Sequence, residues 1–146
     1  VLQEKSRDNA RTPMQWDDSE NAGFTYGKPW ISLIDNYKDI NVKNALADSN
    51  SVFYHYKKLI SLRKEYAVIQ EGKYVPLLEE DDLIFAYKRV LNNEELLVLS
   101  NFYGKECIFD MNLNGYEILL SNYADSLNTN HTLRPYESLV LYKKSK

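Results

Sequence analysis

The first third of the chain carries many large apolar side chains in no regular pattern. Prolines, glycines and acidic residues interrupt residues 1–48, so neither a helical period nor the alternation of a strand is visible. Loops longer than about 12–15 residues without secondary structure are uncommon in a compact domain. The apolar residues are too many for a disordered linker: Met14, Trp16, Phe24, Trp30, Ile31 and Leu33. The apolar side chains of such a segment need a protein surface that covers them. The remaining residues of the chain are too few to be expected to supply it.

Two helices are predicted in the first half of the chain. Residues 40–47 predict a short one, with Val42, Ala45 and Leu46 on one side. Residues 51–66 predict an amphipathic helix that begins after Ser51, whose hydroxyl suits an N-cap. Its apolar residues recur at spacings of three and four, and Ala67-Val68-Ile69 forms a short apolar exit that ends at Gly72.

From Lys73 onward, short runs of strand-forming residues alternate with turns. Asn92-Asn93 and Asn114-Gly115 are typical of tight turns between strands. About seven short strands at close spacing predict an antiparallel sandwich or barrel; they cover residues 74–78, 83–90, 96–99, 105–111, 116–121, 132–134 and 138–142.

Composition excludes several classes of protein. With 18 basic and 21 acidic residues the net charge is -3. The chain therefore lacks the excess of positive charge that binds a nucleic-acid backbone. No apolar run approaches the roughly 20 residues of a membrane helix, so neither nucleic acid nor membrane is an expected partner. The single cysteine, Cys107, forms no internal disulfide, which favours a reducing, cytoplasmic compartment. Because the chain begins with Val1 rather than Met, we expect its gene to begin further upstream.

The sequence contains no clear motif for a metal site or for a catalytic nucleophile. His55 and His131 have no spacing that indicates shared metal ligation, and Cys107 alternates with apolar residues as a packed thiol does. We therefore predict no metal site, no cofactor and no catalytic residue within the chain. Two interpretations of the acidic pair Asp17-Asp18 stay open: it belongs to a site, or it lies in a solvated turn. Among the 12 tyrosines, those of the strands are expected to be structural.

One dense cluster of polar residues remains, in residues 6–17. Arg7, Asp8 and Arg11 lie close together, and Pro13 stiffens the turn that follows. A guanidinium group presents a planar fork of donors to a carboxylate or to neighbouring hydroxyls of a sugar. The same residues would also serve simply to tie a loop together, and the residues alone leave both readings open.

Residues 6–17 resemble the loop after the last barrel strand in bacterial α-glucosidases of the α-amylase family. The resemblance continues in order along essentially the whole chain. Its further motifs are Asn21-Ala22-Gly23-Phe24-Thr25, Pro29-Trp30-Ile31, Asn36-Tyr37, Ser51-Val52-Phe53-Tyr54, Ile84-Phe85-Ala86-Tyr87, Asn101-Phe102 and Leu133-Arg134-Pro135-Tyr136-Glu137.

The resemblance implies an α+β fragment of a larger fold. Residues 1–70 would be the last loop and eighth helix of a (β/α)8 TIM barrel, and residues 71–146 a C-terminal antiparallel β-sandwich of Greek-key type. The missing N-terminal barrel would be the fragment's main partner. The family's catalytic carboxylates lie at earlier barrel strands, and none of their motifs is in this chain, so the fragment alone is expected to be inactive.

The resemblance also implies roles for the polar cluster. Barrel active sites lie at the loops that follow the strands, so Arg11 is expected to contact substrate. It would pair with an upstream carboxylate and donate to a hydroxyl of the non-reducing glucose. Arg7 and Asp8 would belong to the same substrate-binding loop and position it.

The substrate implied by the resemblance is an oligosaccharide or a phosphorylated disaccharide. Ile34-Asp35-Asn36-Tyr37 and Asn101-Phe102-Tyr103 resemble trehalose-6-phosphate hydrolases, which release glucose and glucose 6-phosphate. Oligo-1,6-glucosidases, which act on isomalto-oligosaccharides, commonly have Asn-Pro-Asn-Tyr at the first of these motifs and are the alternative. A hypothesis of another class is a noncatalytic carbohydrate-binding or scaffolding β-sandwich.

Overall fold

The computed structural model describes residues 11–123, 125 and 131–145. The chain divides into two compact units, Val1–Tyr56 and Lys57–Lys146. The predicted division between residues 70 and 71 stays a prediction. Among the described residues, every helix is too short or too polar to span a bilayer.

Over residues 11–51, the described part of the first unit before the long helix consists of turns and one short helix. Two 3₁₀ turns, Glu20–Gly23 and Asp35–Lys38, precede helix α1, Val42–Ala47, which confirms the helix predicted for residues 40–47. Helix α1 begins where it does because Asn41 caps it: the Asn41 side-chain oxygen accepts from the Asn44 N–H at 2.8 Å, and its amide donates to the Tyr37 carbonyl at 2.8 Å.

The predicted long helix is confirmed as α2, Val52–Glu65. Ser51 precedes it, and its hydroxyl donates to the Ala45 carbonyl oxygen at 2.6 Å. The apolar exit after α2 is itself helical, a feature that the sequence did not indicate. Helix α3, Ala67–Glu71, follows Tyr66, whose extended backbone separates the two helices, and it forms because its Val68 is buried against the sheet described next.

In the described residues from 73 onward the structure has seven strands, as predicted, in two antiparallel sheets. The larger sheet has the order β1-β2-β3-β7-β5 and the smaller one pairs β4 with β6. The bounds are β1 Lys73–Leu77, β2 Ile84–Leu91, β3 Glu94–Asn101, β4 Cys107–Ile108, β5 Glu117–Ser121, β6 Thr132–Leu133 and β7 Ser138–Lys144. Asn92, with φ of 52°, and Gly115, with φ of 82°, occupy the two predicted turns.

The larger sheet is covered on both faces at its central strand β3, which explains the run of four buried residues from Leu96 to Leu99. On the sandwich face, Leu97 and Leu99 pack with neighbours from β2 and β7 against Cys107, Phe109 and Leu133 of the second layer. On the opposite face, which we call the helix face, Leu96, Val98 and Tyr142 pack against Val68 of α3. The α+β fold class with a C-terminal sandwich is confirmed.

Candidate functional site

Arg11 is the only predicted substrate contact within the described part of the chain. Its side chain is exposed, and Pro13, two residues later, is buried. Arg7 and Asp8 lie outside the described residues. The structure around Arg11 is therefore described from the segment that follows it, residues 12–27.

Main-chain hydrogen bonds fix that segment against the beginning of helix α1. The N–H of Val42 donates to the Gln15 carbonyl at 2.9 Å, and the N–H of Lys43 donates to the Trp16 carbonyl at 3.0 Å. The Gln15 amide also donates to the Asn36 side-chain oxygen at 3.2 Å and to the Ile40 carbonyl. Gln15 thus anchors the chain four residues after Arg11. Sequence reasoning does not single out Gln15, because an amide pairs with whatever backbone the fold brings to it.

A tight turn follows, built on two residues with left-handed backbone. Asn21 and Ala22 have φ of 52° and 55°, and the buried Ala22 offers its carbonyl to the N–H of Trp16 at 2.9 Å. The Asn21 amide donates to the Thr25 and Gly27 carbonyls at 3.1 and 3.2 Å. A short polar side chain tolerates this conformation by bonding locally, so the turn holds the segment after Arg11 from its other side.

Both carboxylates of the acidic pair, Asp17 and Asp18, have partners in the first unit. A hydrogen bond from the Ser19 hydroxyl, joined by one from its N–H at 2.9 Å, lowers the pKa of Asp17. Lys43 lies 2.8 Å from Asp18 and lowers the pKa of that carboxyl in the same way. Both groups stay ionised at neutral pH, Asp17 bonded to its own loop and Asp18 to Lys43 of helix α1. This arrangement suits loop-holding carboxylates better than a general acid, which needs a raised pKa.

An open groove of about 380 Å³ runs beside this segment in the first unit. It is bordered mainly by apolar groups, among them Met14, Ile40, Val42 and Phe53. Sugar hydroxyls need hydrogen-bond partners when they are buried, so a groove of this lining suits contact with protein better than contact with a sugar.

Large aromatic side chains of the same unit are fully or half exposed. Tyr26 and Trp30 are fully exposed, and Trp16 and Phe24 are about half exposed. The described residues therefore do not supply the surface that the sequence indicated these side chains need.

The remaining sequence candidates are structural. Cys107 is buried, and burial raises the pKa of its thiol, which makes it a poor nucleophile. His131 stacks on Phe109 with ring centroids 5.5 Å apart, and His55 lies within helix α2. Within the described ranges no three His, Cys, Asp or Glu side chains are grouped so as to hold a metal ion.

Among the described residues, the structure adds a charge cluster around the buried Glu137 to these candidates. Glu137 is 2% exposed, and its carboxylate accepts from the Arg134 guanidinium at 2.6 Å and from the Arg134 N–H at 2.8 Å. Arg134 also pairs with Asp125 at 2.6 Å and lies over the Tyr123 ring at 3.8 Å. Every charge is matched within the sandwich unit, so the cluster holds the turn before β7 rather than forming a site. Its sequence signals are the spacing of Arg134 and Glu137 by three residues and their place in the motif Leu133-Arg134-Pro135-Tyr136-Glu137.

Comparison with known proteins finds a family model for each of two segments of the chain. Residues 1–72 match the family model described as alpha amylase, catalytic domain, and residues 84–140 match the alpha-amylase SusG C-terminal domain. The chain is 53% identical over 97% of its length to an oligo-1,6-glucosidase of Halalkalibacterium halodurans and 52% identical over 96% to a trehalose-6-phosphate hydrolase of Bacillus subtilis.

A solved structure shows the same similarity in three dimensions. The crystal structure of Bacillus licheniformis trehalose-6-phosphate hydrolase matches with a TM-score of 0.90 and 49% identity, over 99% of this chain and 27% of that one. The chain spans 26% of the length of each of the two curated relatives named above. With its two segments matched to the catalytic and C-terminal domains in turn, the chain belongs to the α-amylase family.

Proposed function

We propose that these residues are part of a retaining α-glycosidase, to which they contribute a substrate-binding loop and the C-terminal sandwich. The observation that carries the proposal is the segment after Arg11, which matches the family's catalytic domain and is anchored from both sides by the hydrogen bonds of Gln15 and Trp16. A loop held in this way presents a guanidinium group with little loss of entropy on binding.

The chemistry proposed is that of two carboxyl groups. One carboxylate attacks the anomeric carbon while the other group protonates the leaving oxygen, and water then hydrolyses the glycosyl-enzyme. Both groups are assigned to the parent protein outside these 146 residues. Arg11 would bind a hydroxyl of the non-reducing glucose and pair with one of the parent's carboxylates, and Arg7 and Asp8 would position the loop.

The proposed substrate is trehalose 6-phosphate, which is cleaved to glucose and glucose 6-phosphate. The identities to the two kinds of relative, 52% and 53%, do not separate them. The support is Asp35, which precedes Asn36 where oligo-1,6-glucosidases commonly have proline. Because Asn36 accepts the hydrogen bond of Gln15, a change at this turn is transmitted to the segment that follows Arg11.

The alternative substrate is an isomalto-oligosaccharide, which the similarity to the oligo-1,6-glucosidase supports. The buried free thiol of Cys107 supports a reducing, cytoplasmic location for either enzyme.

The test is to assay the intact parent protein on trehalose 6-phosphate, trehalose and isomaltose under the same conditions. We expect kcat/KM to be highest for trehalose 6-phosphate, with glucose and glucose 6-phosphate released in equal amounts. A higher kcat/KM for isomaltose would assign the alternative, and hydrolysis of none of the three would overturn the proposed function. The 146-residue chain is the control and is expected to show no turnover.

A further inference from the structure

The turn before strand β5 has two exposed central residues, Asn114 and Gly115. The Tyr116 N–H closes the turn by donating to the Leu113 carbonyl at 3.1 Å. Gly115 has φ of 82°, a conformation that glycine adopts without strain because it has no Cβ atom. For the same reason, no side chain of its own residue shields the Gly115 nitrogen.

Neither the Asn114 amide nor the Gly115 nitrogen is engaged elsewhere in the described part of the chain. The Asn114 side chain and the Gly115 N–H have no hydrogen-bond partner among these residues. The main-chain N–H of Asn114 donates to the Asn112 side-chain oxygen at 2.9 Å. This bond holds the main chain of the turn but leaves the Asn114 amide free to approach the next peptide nitrogen.

Two other asparagines of turns and loops show the opposite arrangement. The Asn122 amide donates to the Tyr136 carbonyl at 2.8 Å, and its oxygen accepts from the Ser138 N–H at 2.8 Å. The Asn21 amide donates to two carbonyls that follow it, and the N–H of Ala22 donates within the same turn. Side chains and peptide nitrogens held in this way must first break hydrogen bonds before they can react with each other.

We propose that Asn114 is a site of spontaneous covalent modification, at which the side-chain amide becomes a carboxylate. Hydroxide removes the proton of the Gly115 nitrogen, which then attacks the side-chain carbonyl carbon of Asn114. The new C–N bond closes a five-membered succinimide. The C–N bond of the side-chain amide breaks, and its nitrogen takes a proton from water and leaves as ammonia, which restores the hydroxide. One water molecule then opens the ring at either carbonyl, and the products are aspartate and isoaspartate at position 114.

A cation lies beside the reacting groups. A Cβ atom at Gly115 would lie 3.7 Å from Nζ of Lys143, and the same ammonium lies 5.5 Å from the centre of the Tyr116 ring. A nearby opposite charge favours the charged form of a group. Lys143 therefore favours both the anion that forms during ring closure and the carboxylate of the product.

The isoaspartyl product changes the covalent path of the chain. Its main chain runs through the former side chain and is longer by one methylene group. Leu113 and Tyr116, on either side of the site, pack against the sandwich core, and the Tyr116 hydroxyl also donates to Glu95. A turn of altered length cannot hold both flanks in the same positions. We therefore expect the isoaspartyl form to unfold at a lower urea concentration than the unmodified protein.

The experiment follows the modification in the intact parent protein, incubated in its folded state at neutral and at mildly alkaline pH. Digestion at mildly acidic pH and tandem mass spectrometry locate each asparagine at which NH₂ has been replaced by OH, relative to a sample taken before incubation. Asn112, which is exposed and precedes Leu113, and the bonded Asn122 are the controls. We expect conversion at Asn114 to be about tenfold faster than at either control, because Gly115 has no side chain beside the attacking nitrogen. It should be faster still at the higher pH.

This comparison needs no variant to fold, and its outcome decides the proposal. Equal rates at Asn114 and Asn112, or a rate at Asn114 that does not rise with pH, would overturn it.

A variant and a stability measurement supply a second readout. Ion exchange separates the incubated parent by the added negative charge, and we expect Asn114→Ser to accumulate much less of this acidic form. Accumulation at the wild-type rate would place the modification elsewhere and overturn the proposal. Urea unfolding of the separated isoaspartyl fraction is expected to show a lower midpoint. An unchanged midpoint would contradict the structural consequence drawn for the turn.

Discussion

At the residue scale, Arg11 and Glu95 represent two uses of a charged side chain. Arg11 is exposed on an anchored segment, where its donors are available to a ligand. Glu95 lies on the sheet and is held by its neighbours: the Tyr116 hydroxyl donates to it at 2.7 Å, and Lys88 lies at 3.5 Å. A charge that binds substrate affects catalysis when it is removed, whereas a charge bonded within the fold affects stability.

Replacing Arg11 tests its proposed role. We expect Arg11→Ala in the intact parent to lower kcat/KM by about 10- to 100-fold, because a hydrogen bond to a charged group is lost in the transition state. Arg11→Lys keeps the charge but not the planar fork, and we expect it to recover only part of the loss. Lys28→Ala, an exposed basic residue of the same unit, is the control and should leave kcat/KM unchanged. An Arg11→Ala enzyme with normal kcat/KM would make Arg11 structural.

The contact between Glu95 and Tyr116 predicts a pH dependence of stability. The hydrogen bond from Tyr116 lowers the pKa of folded Glu95 below its ordinary value near 4.5. The folded state then binds this proton less readily than the unfolded state, so the contribution is complete above pH 4.5 and is lost as the pH falls through the lowered pKa. We expect Tyr116→Phe to cost about 1 kcal/mol of unfolding free energy at pH 7 and less at pH 3.

Urea unfolding of the wild type and the variant at the two pH values measures this difference. Burial, with help from the same hydrogen bond, also raises the pKa of Tyr116. Stability from this group is therefore complete below its ordinary pKa near 10 and declines as the pH rises above that value. A loss on Tyr116→Phe that is equal at pH 7 and pH 3 would contradict the proposed coupling to Glu95.

At the element scale, the link between helix α3 and strand β1 depends on one close approach. Gly72 joins the two, and its N–H donates to the Val68 carbonyl at 3.1 Å. A Cβ atom at Gly72 would lie 2.4 Å from that carbonyl oxygen and 3.1 Å from the Arg89 side chain. The helix can turn directly into the sheet it packs on only because no side chain intervenes at this position.

Adding a methyl group at this link should therefore destabilise the sandwich unit. We expect Gly72→Ala to lower the unfolding free energy by about 2 kcal/mol, since backbone atoms must move to relieve the overlap. Gly27→Ala is the matched control, because its Cβ would meet only the Thr25 hydroxyl oxygen, at 3.8 Å. Urea unfolding compares the two variants, and equal midpoints would show that the α3–β1 link adapts freely.

At the scale of the whole molecule, the first unit leaves much apolar surface without cover. Besides Tyr26 and Trp30, the exposed large apolar side chains include Met14, Trp16, Phe24, Ile34, Ile40, Leu46, Val52, Phe53 and Tyr56. Exposed apolar surface on this scale marks a contact with further protein. It fits a chain that spans about a quarter of its relatives' length.

This surface predicts a difference between the chain and its parent. We expect the 146-residue chain to enhance the fluorescence of a hydrophobic dye such as ANS strongly, and the intact parent to do so much less at equal molar concentration. Dye titration of both proteins measures the effect. An equally weak response from the chain would show that it covers these side chains by itself.

The sequence by itself determined the elements whose causes are local. Turn chemistry at Asn92 and Gly115 and the strand-forming runs between the turns predict the seven strands, and the apolar spacing of residues 51–66 predicts α2. The motif around Arg11 indicated the family, although its role as a substrate contact stays a prediction. Arg7 and Asp8 lie outside the described residues and add no test of it.

Only the tertiary structure decided features that depend on distant partners. The sequence shows Leu96 to Leu99 as one apolar run, but α3 on one face and the β4–β6 layer on the other explain why every member is buried. Ala67–Glu71 is helical because Val68 has a sheet to pack on, and Gln15 anchors its loop because Asn36 and Ile40 lie beside it. The sequence also did not reveal that Phe85 and Phe102 are exposed. A strand has the same apolar residues whether or not a partner covers them.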